Sequence, residues 1–314
     1  MTKAAQPFII NALSIDVEEY YHATIYRKAM QRAPYQDVES RVESCVDRLL
    51  ALLSRERTLA TFFVLGEVAT LHPLMVKTIA DSGHEVACHG YTHDLVSLMT
   101  PQDFQQDVHR AKLLLEDLTG QPVLGYRAPS FSIGQAQAWA YDILIQEGFR
   151  YDSSLYPIIH DLYGDPHAPR VPFEIRNSGQ NSLLEVPIGT ARVLGLNLPI
   201  GGGGYFRLLP SPLIRMGIRW VNSREHQPVV FYVHPWEIDP WQPRLQMPWY
   251  YRFRHYVGLC TTEKKLSTLL RAVPFSTIRK ALEIQLANSP GTLALGEHVH
   301  MSTTNQIPQE SRKP

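Results

Sequence analysis

Cysteine is scarce in this chain of 314 residues. Its three copies, Cys45, Cys88 and Cys260, are odd in number and form no CxxC pair, which argues against a disulfide framework or a cysteine-built zinc knot. Neither sign of charge is in surplus, because Lys+Arg and Asp+Glu both total 30. A nucleic-acid binder would be expected to present a basic excess, so no nucleic-acid partner is expected. Long apolar runs are also missing. No uncharged window reaches membrane-spanning length, so no transmembrane segment is expected. Residues Met1 to Ile10 hold one Lys and a very short apolar stretch before Asp16 and Glu18, unlike a secretory leader. The chain therefore reads as cytoplasmic, and its length suits one large α/β domain or two small ones.

What is present is an alternation of strand-like and helix-like segments. Phe8–Ile15 reads as a buried strand, and Val42, Cys45, Val46, Leu49, Leu52 and Leu53 recur at helical spacing. Leu59–Leu65 and Glu85–Cys88 read as further strands, with a helix over His72–Asp81 between them. Thr100 as cap, Pro101 in the first turn and Asp103 near the positive end predict a helix that runs to Leu118 and stops at Gly120. A strand near Val123–Tyr126, a helix over Gln135–Glu147 and a short strand Phe149–Tyr151 follow, and Pro228–Val233 is another strand. This βαβα rhythm predicts an α/β fold whose parallel sheet is either open or closed into a (β/α) barrel. The Pro- and Gly-rich stretch 157–210 breaks the rhythm and reads as an insertion over one end of the sheet, either a substrate-facing lid or a structural strap. After roughly Asn288 the apolar pattern ends, predicting a flexible tail over 288–314.

Polar residues fall where predicted strands stop: Asp16, His89, Arg127, Asp152 and His234. Strand ends are where parallel α/β folds place chemistry. Asp16 and Glu18 are two apart, so extended backbone points both carboxylates to one face, where one could bind a metal and the other act as a base. His89 and His93 are four apart, a spacing that on a helical turn aims two imidazoles to one side. With one carboxylate they form a two-His, one-carboxylate set suited to Zn²⁺, or to Co²⁺, Ni²⁺ or Fe²⁺. Cys88 reads as a small buried residue beside this set rather than a ligand. Arg127 can orient the Asp16 carboxylate. His234 ends an apolar run and suits a general acid, for which Glu237 and Asp152 are both available as the carboxylate that holds its proton. Gly201–Gly204 lacks the spacing of a phosphate loop. Four glycines instead let backbone pass close to another surface, placing Tyr205 and Arg207 to meet a sugar ring or an anionic group. Trp236, Trp241 and Trp249 are either a sugar platform or packing residues.

Taken together, these motifs resemble the polysaccharide deacetylases of the NodB-homology type, carbohydrate esterase family 4. The similarity extends over Asn11 to Lys280. It is strongest to a subgroup associated with bacterial exopolysaccharide and exosortase (PEP-CTERM) loci that has a DUF3473-like C-terminal region. There the first motif reads like Ser14-Ile-Asp-Val-Glu-Glu-Tyr20, and Gly201–Pro210, Phe231–Asp239 and Phe253–Tyr256 are also similar. The resemblance implies a distorted (β/α) barrel over residues 1–287, with 211–280 completing it. It implies Asp16 as catalytic base, His89 and His93 as metal ligands, Arg127 as the residue orienting the base, and His234 as catalytic acid. The wider family has two adjacent aspartates in the first motif. Here the second carboxylate comes one residue later as Glu18, and in branches of that pattern the later carboxylate is the ligand, so Glu18 falls to the metal. The family's Asp-Trp motif that tunes the acid histidine is not evident. Asp152, Tyr205, Arg207, Trp236 and Glu237 are the expected supporting or substrate-facing residues. The implied reaction is metal-dependent removal of N-acetyl groups from the amino sugars of a polysaccharide or lipid-linked precursor. Peripheral contact with membrane-bound polysaccharide machinery is compatible with it. Two other readings are an amidohydrolase acting on a small non-sugar amide and a non-catalytic glycan binder on the same scaffold.

Overall fold

The structure is a computed structural model and describes residues 9–23, 38–177, 181–244 and 246–288. Phe8, predicted to open the first strand, and the tail beyond 288 lie outside the described residues. In chain order the elements begin with β1 (Asn11–Val17), α1 (Val42–Arg55), β2 (Thr61–Val64), α2 (Gly66–Leu71), α3 (Pro73–Asp81), β3 (Glu85–Cys88), α4 (Pro101–Thr119) and β4 (Gly125–Tyr126). Then come α5 (Trp139–Gln146), β5 (Tyr151–Asp152), β6 (Phe173–Arg176), β7 (Ser182–Glu185), β8 (Thr190–Val193) and β9 (Leu196–Pro199). The last part holds α6 (Gly203–Leu208), α7 (Ser211–Trp220), β10 (Val230–Val233), α8 (Trp249–Tyr256), α9 (Leu259–Ala272), β11 (Phe275–Ser276) and α10 (Ile278–Asn288).

The main sheet runs β10-β1-β2-β3-β4-β5-β7-β6, parallel except for the last pair, with β11 against the start of β1. The ladder does not close continuously. Beyond β7 the chain returns to the opposite edge, where Ile188 bridges to Val230 and Gly202 bridges to Tyr232. The result is a distorted (β/α) barrel. Period-2 alternation sorts its strands into two cores. Leu13, Ile15, Val17, Phe62, Val64, Cys88, Phe231 and Val233 pack outward under the helices. Ala12, Phe63, Ala87, Val230 and Tyr232 fill the interior. Asp16 shares the interior register of Ala12, two residue pairs along β1, so it arrives at the barrel mouth. Cys88 points to the helix side and is buried and unpaired, as its sequence context suggests.

Local signals explain the helix ends. The Thr100 hydroxyl accepts from the Asp103 N–H, and Gly120 takes a left-handed conformation to close α4. Gly202 lies so near β10 that a Cβ there would overlap the Tyr232 carbonyl oxygen, and its φ of 114° is one that only glycine adopts readily. The glycine run thus does let backbone approach another surface. The helix predicted over Gln135–Glu147 is broken, since only Trp139–Gln146 is α-helical and a single 3-10 turn, Gln135–Gln137, precedes it.

His84 precedes β3, accepts the Ala60 N–H at Nδ1 (3.2 Å) and packs on Phe62. Burial pushes its pKa down to about 4. Between that value and the ordinary value near 6.5, the unfolded chain binds the extra proton and the folded one does not. Its contribution is therefore present above about pH 6.5 and is lost as pH falls toward 4. Urea denaturation at pH 7 and pH 4.5 is expected to show a loss on the order of 2 kcal/mol attributable to this ring. The His84→Gln variant should have a correspondingly shallower pH dependence, and equal slopes for the two proteins would refute the assignment.

Candidate metal and hydrolytic site

The barrel mouth gathers residues from four distant segments. Glu18, one residue past β1, His89, at the end of β3, and His93 place ligand-type atoms within 4.8 Å of one another, and all three residues are buried. Glu18 Oε2 lies 2.5 Å from His93 Nε2 and 3.9 Å from His89 Nε2. His89 and His93 do not sit on a helical turn, as their spacing had suggested. They flank a loop that bends at Gly90, where φ is +82°. The Asp107 carboxylate, from α4, accepts from the Tyr91 N–H (2.7 Å) and the Thr92 N–H (3.0 Å) and fixes that loop. His22 stacks on His93 with ring centroids 5.5 Å apart.

Arg127 follows β4 and is fully buried. Its Nη1 donates to Asp16 Oδ1 (2.6 Å) and Ser14 Oγ (2.8 Å), and its Nε and Nη2 donate to the carbonyl and hydroxyl oxygens of Ser153. Phe63 packs against its guanidinium plane. The same residue's carbonyl oxygen accepts from His89 Nδ1 (2.8 Å). That bond sets the tautomer and leaves Nε2 as the lone-pair nitrogen facing Glu18 and His93. Burial pushes the His89 pKa down to about 4, which keeps the ring neutral, the state in which imidazole binds a metal. Burial alone would raise the Glu18 pKa. His93, His234 and His89 outweigh it and hold the carboxylate well below its usual range. A buried carboxylate beside two imidazoles is a donor set that fits a divalent ion.

His234 ends β10 and faces both carboxylates. Its Nε2 is 3.6 Å from Glu18 Oε1 and 4.0 Å from Asp16 Oδ2, and its Nδ1 is 3.5 Å from Glu237 Oε2. Burial would lower its pKa, but Glu18, Glu237 and Asp16 together raise it to about 9. A cation at Glu18 would cancel the first of these and leave the other two. Of the two carboxylates available from sequence, the one beside His234 is Glu237. Asp152 is elsewhere. It accepts from Ser154 Oγ (2.7 Å) and shares a buried pocket with Glu185. Burial first, and Asp152 second, raise the Glu185 pKa, so this pair retains a proton behind the Arg127 loop. Asp152 does not line the cavity.

Arg207, expected as a supporting or substrate-facing residue, lines the cavity and donates to Glu237 (Nε to Oε1, 2.8 Å) and to the His255 carbonyl. Trp236 lines the cavity, with both faces of its ring covered. Its indole N–H donates to Glu18 Oε1 (3.1 Å), and its ring is sandwiched between His234 and His255. Trp241 and Trp249 are exposed and do not line the cavity. Tyr205 lines it, as do Arg207, Trp236 and Glu237. The cavity has a volume of about 660 Å³, and residues of the 157–210 stretch (Ile159 to Tyr163, Gly204, Tyr205) form one wall. The sequence left Glu19 unassigned. Its carboxylate accepts the N–H groups of Arg41 and Val42 and so caps α1. Asp107, Ser14, Ser153 and His255 were missed. Each acts through a partner 13 or more residues away, and no local pattern marks such residues.

A family profile described as polysaccharide deacetylase matches residues 32–143, and a second, described as a domain of unknown function (DUF3473), matches residues 153–283. Residues 32–143 are thus similar to the polysaccharide deacetylases, and residues 153–283 to the domain described as DUF3473. A peptidoglycan deacetylase-like protein of Gibberella zeae is 38% identical over 112 residues, which is 35% of this chain and 32% of that one. A peptidoglycan deacetylase of Helicobacter pylori is 34% identical over 110 residues, 35% of this chain and 36% of its own length. The chain thus spans about a third of the length of these curated relatives. Among solved structures, a Mycobacterium smegmatis protein of polysaccharide deacetylase type superposes with a TM-score of 0.59 at 20% identity, covering 91% of this chain and 93% of that one. Puue allantoinase superposes at 0.57 and 16% identity, covering 89% and 90%. At such identities the likeness is one of fold.

The Arg207–Glu237 pair is desolvated on both sides, so removing one partner leaves an uncompensated buried charge. Glu237→Gln is expected to lower stability by about 3 kcal/mol in urea denaturation. A loss within the error of the measurement would show that the pair does not hold this side of the site.

Proposed function

We propose that the protein is a metal-dependent hydrolase that removes N-acetyl groups from amino sugars of a glycan. Asp16, His234 and the Glu18–His89–His93 cluster converge on the floor of one cavity, and this convergence is the observation that supports the reading most strongly. Glu18, His89 and His93 would hold the ion. When bound, a divalent ion lowers the pKa of a coordinated water and polarises an acetyl carbonyl. Arg127 holds Asp16 Oδ1, so Oδ2 is turned toward the cavity and can accept a proton from the attacking water. The water oxygen bonds to the acetyl carbon. As the C–N bond breaks, His234 Nε2 gives its proton to the sugar nitrogen, releasing acetate and a free amine. Glu237, anchored by Arg207, accepts the His234 backbone N–H and lies 3.5 Å from Nδ1, so its charge favours the protonated ring. Tyr163, Tyr205 and Phe253 offer flat apolar faces of the kind that pack on sugar rings.

The finer substrate, an exopolysaccharide or its lipid-linked precursor, follows from the resemblance of the first motif and of the C-terminal region. Zinc is the ion that two imidazoles and a carboxylate suit best. Under this reading His89→Ala loses bound metal and activity together, whereas Asp16→Asn retains metal and loses at least roughly two orders of magnitude in turnover. Metal content and acetate release from an N-acetylglucosamine oligomer, measured on both variants and the wild type, check this. Wild-type metal without acetate from any amino sugar would transfer the reaction to another amide. Undiminished turnover in Asp16→Asn would overturn the mechanism.

A further inference from the structure

No aspartate or glutamate stands between Glu185 and Glu225, whereas five arginines do. Within that interval lie eight of the nineteen exposed large apolar side chains among the described residues. The β8–β9 hairpin forms a sheet of its own, and its tip residue Leu194 is 98% exposed. Along β9 the residues alternate. Asn197 turns inward and donates to the Pro157 carbonyl oxygen (2.9 Å) of the cavity-wall segment, while Leu196 and Leu198 face solvent. The neighbouring α7 buries Ile214 and Ile218 and exposes Leu213, Met216 (62%) and Trp220 on the opposite stripe. Helix and hairpin touch, because β8 packs on α7 and Gly217 sits against Ile200.

We propose that this hairpin and the exposed stripe of α7 together dock on an anionic lipid bilayer, with Leu194 as the inserting tip. The shape is a projecting tip beside a shallow helix face, which enters a fluid surface more readily than it fills a protein groove. The charge agrees. Arg192 and Arg219 are exposed on the two elements, Arg224 stacks over the Trp220 ring, and Glu225 is already neutralised by Arg170 at 2.9 Å. A helix with leucine, methionine and tryptophan on one stripe and arginine beside it is the pattern of an interfacial element. Because Asn197 ties the hairpin to the Pro157 segment, docking would bring the cavity wall close to the lipid surface. This inference concerns a surface separate from the hydrolytic site and does not depend on the reaction proposed above.

The test is co-sedimentation of the full chain with phosphatidylglycerol-containing vesicles and with pure phosphatidylcholine vesicles, at low and high salt. Wild type is expected to pellet with the anionic vesicles and to be released by salt. The double variant Leu194→Asp/Met216→Asp should bind at least roughly ten-fold more weakly, and Arg192→Gln/Arg219→Gln should lose a similar factor on anionic vesicles. All four positions are solvent-facing, so unchanged melting curves would establish that the variants are folded. Wild type remaining in the supernatant, or variants binding as wild type does, would overturn the proposal. So would sedimentation showing a lipid-free dimer that Leu194→Asp dissolves, because the patch would then be an interface between copies.

Discussion

A buried guanidinium organises this molecule. Arg127 has no contact with water, so each N–H it carries must find an acceptor inside the protein. Four such bonds of Arg127 run to β1, through Ser14 and Asp16, and to just past β5, through Ser153. Its main-chain oxygen takes the Nδ1 proton of His89. One residue thereby aims a carboxylate and fixes which nitrogen of an imidazole faces the metal-type cluster. Removing it would disturb both sides of the site at once, since each depends on a geometry that water would not impose.

A second desolvated ion pair does the corresponding work on the opposite wall. Arg207 and Glu237 neutralise each other, and Glu237 then lies beside His234. Trp236 joins the two halves. Its N–H holds Glu18 while its ring fills the space between His234 and His255. The C-terminal region is thus part of the candidate site. It supplies the residue proposed as acid and its carboxylate, together with the indole that donates to Glu18.

The stretch that interrupts the βα rhythm has a structural reason to be rich in glycine. Its chain must leave β7, run past the open edge of the sheet and touch β10 at Ile188 and Gly202. A side chain at Gly202 would occupy the space of the Tyr232 carbonyl. Close passage joins the two ends of the sheet where a continuous ladder does not, and it positions the cavity wall.

Much was legible in the sequence because it depends on neighbours in the chain. The alternation of Leu13, Ile15 and Val17 with Ala12, Ser14 and Asp16 declares a two-faced strand, and Thr100 through Gly120 spells a helix with both its ends. Strand ends identified Asp16, His89, Arg127 and His234 because a parallel sheet delivers its C-terminal ends to one mouth. Other features arise only when distant segments meet. The spacing of His89 and His93 suggested a helical turn, but the bend at Gly90 and the reach of Asp107 from α4 decide their actual loop. Asp152 and Glu237 were equal partners for His234 on paper. Folding puts one against the imidazole and the other in a proton-sharing pair with Glu185. Arg207 and Trp236 looked like residues for a ligand, yet a buried charge and a buried N–H must first be satisfied, and their partners lie 30 and 218 positions away. Periodicity and termination are local consequences of backbone geometry and are written in the sequence. Pairing of buried polar groups is a consequence of desolvation, and only the tertiary structure decides which groups share the same dry space.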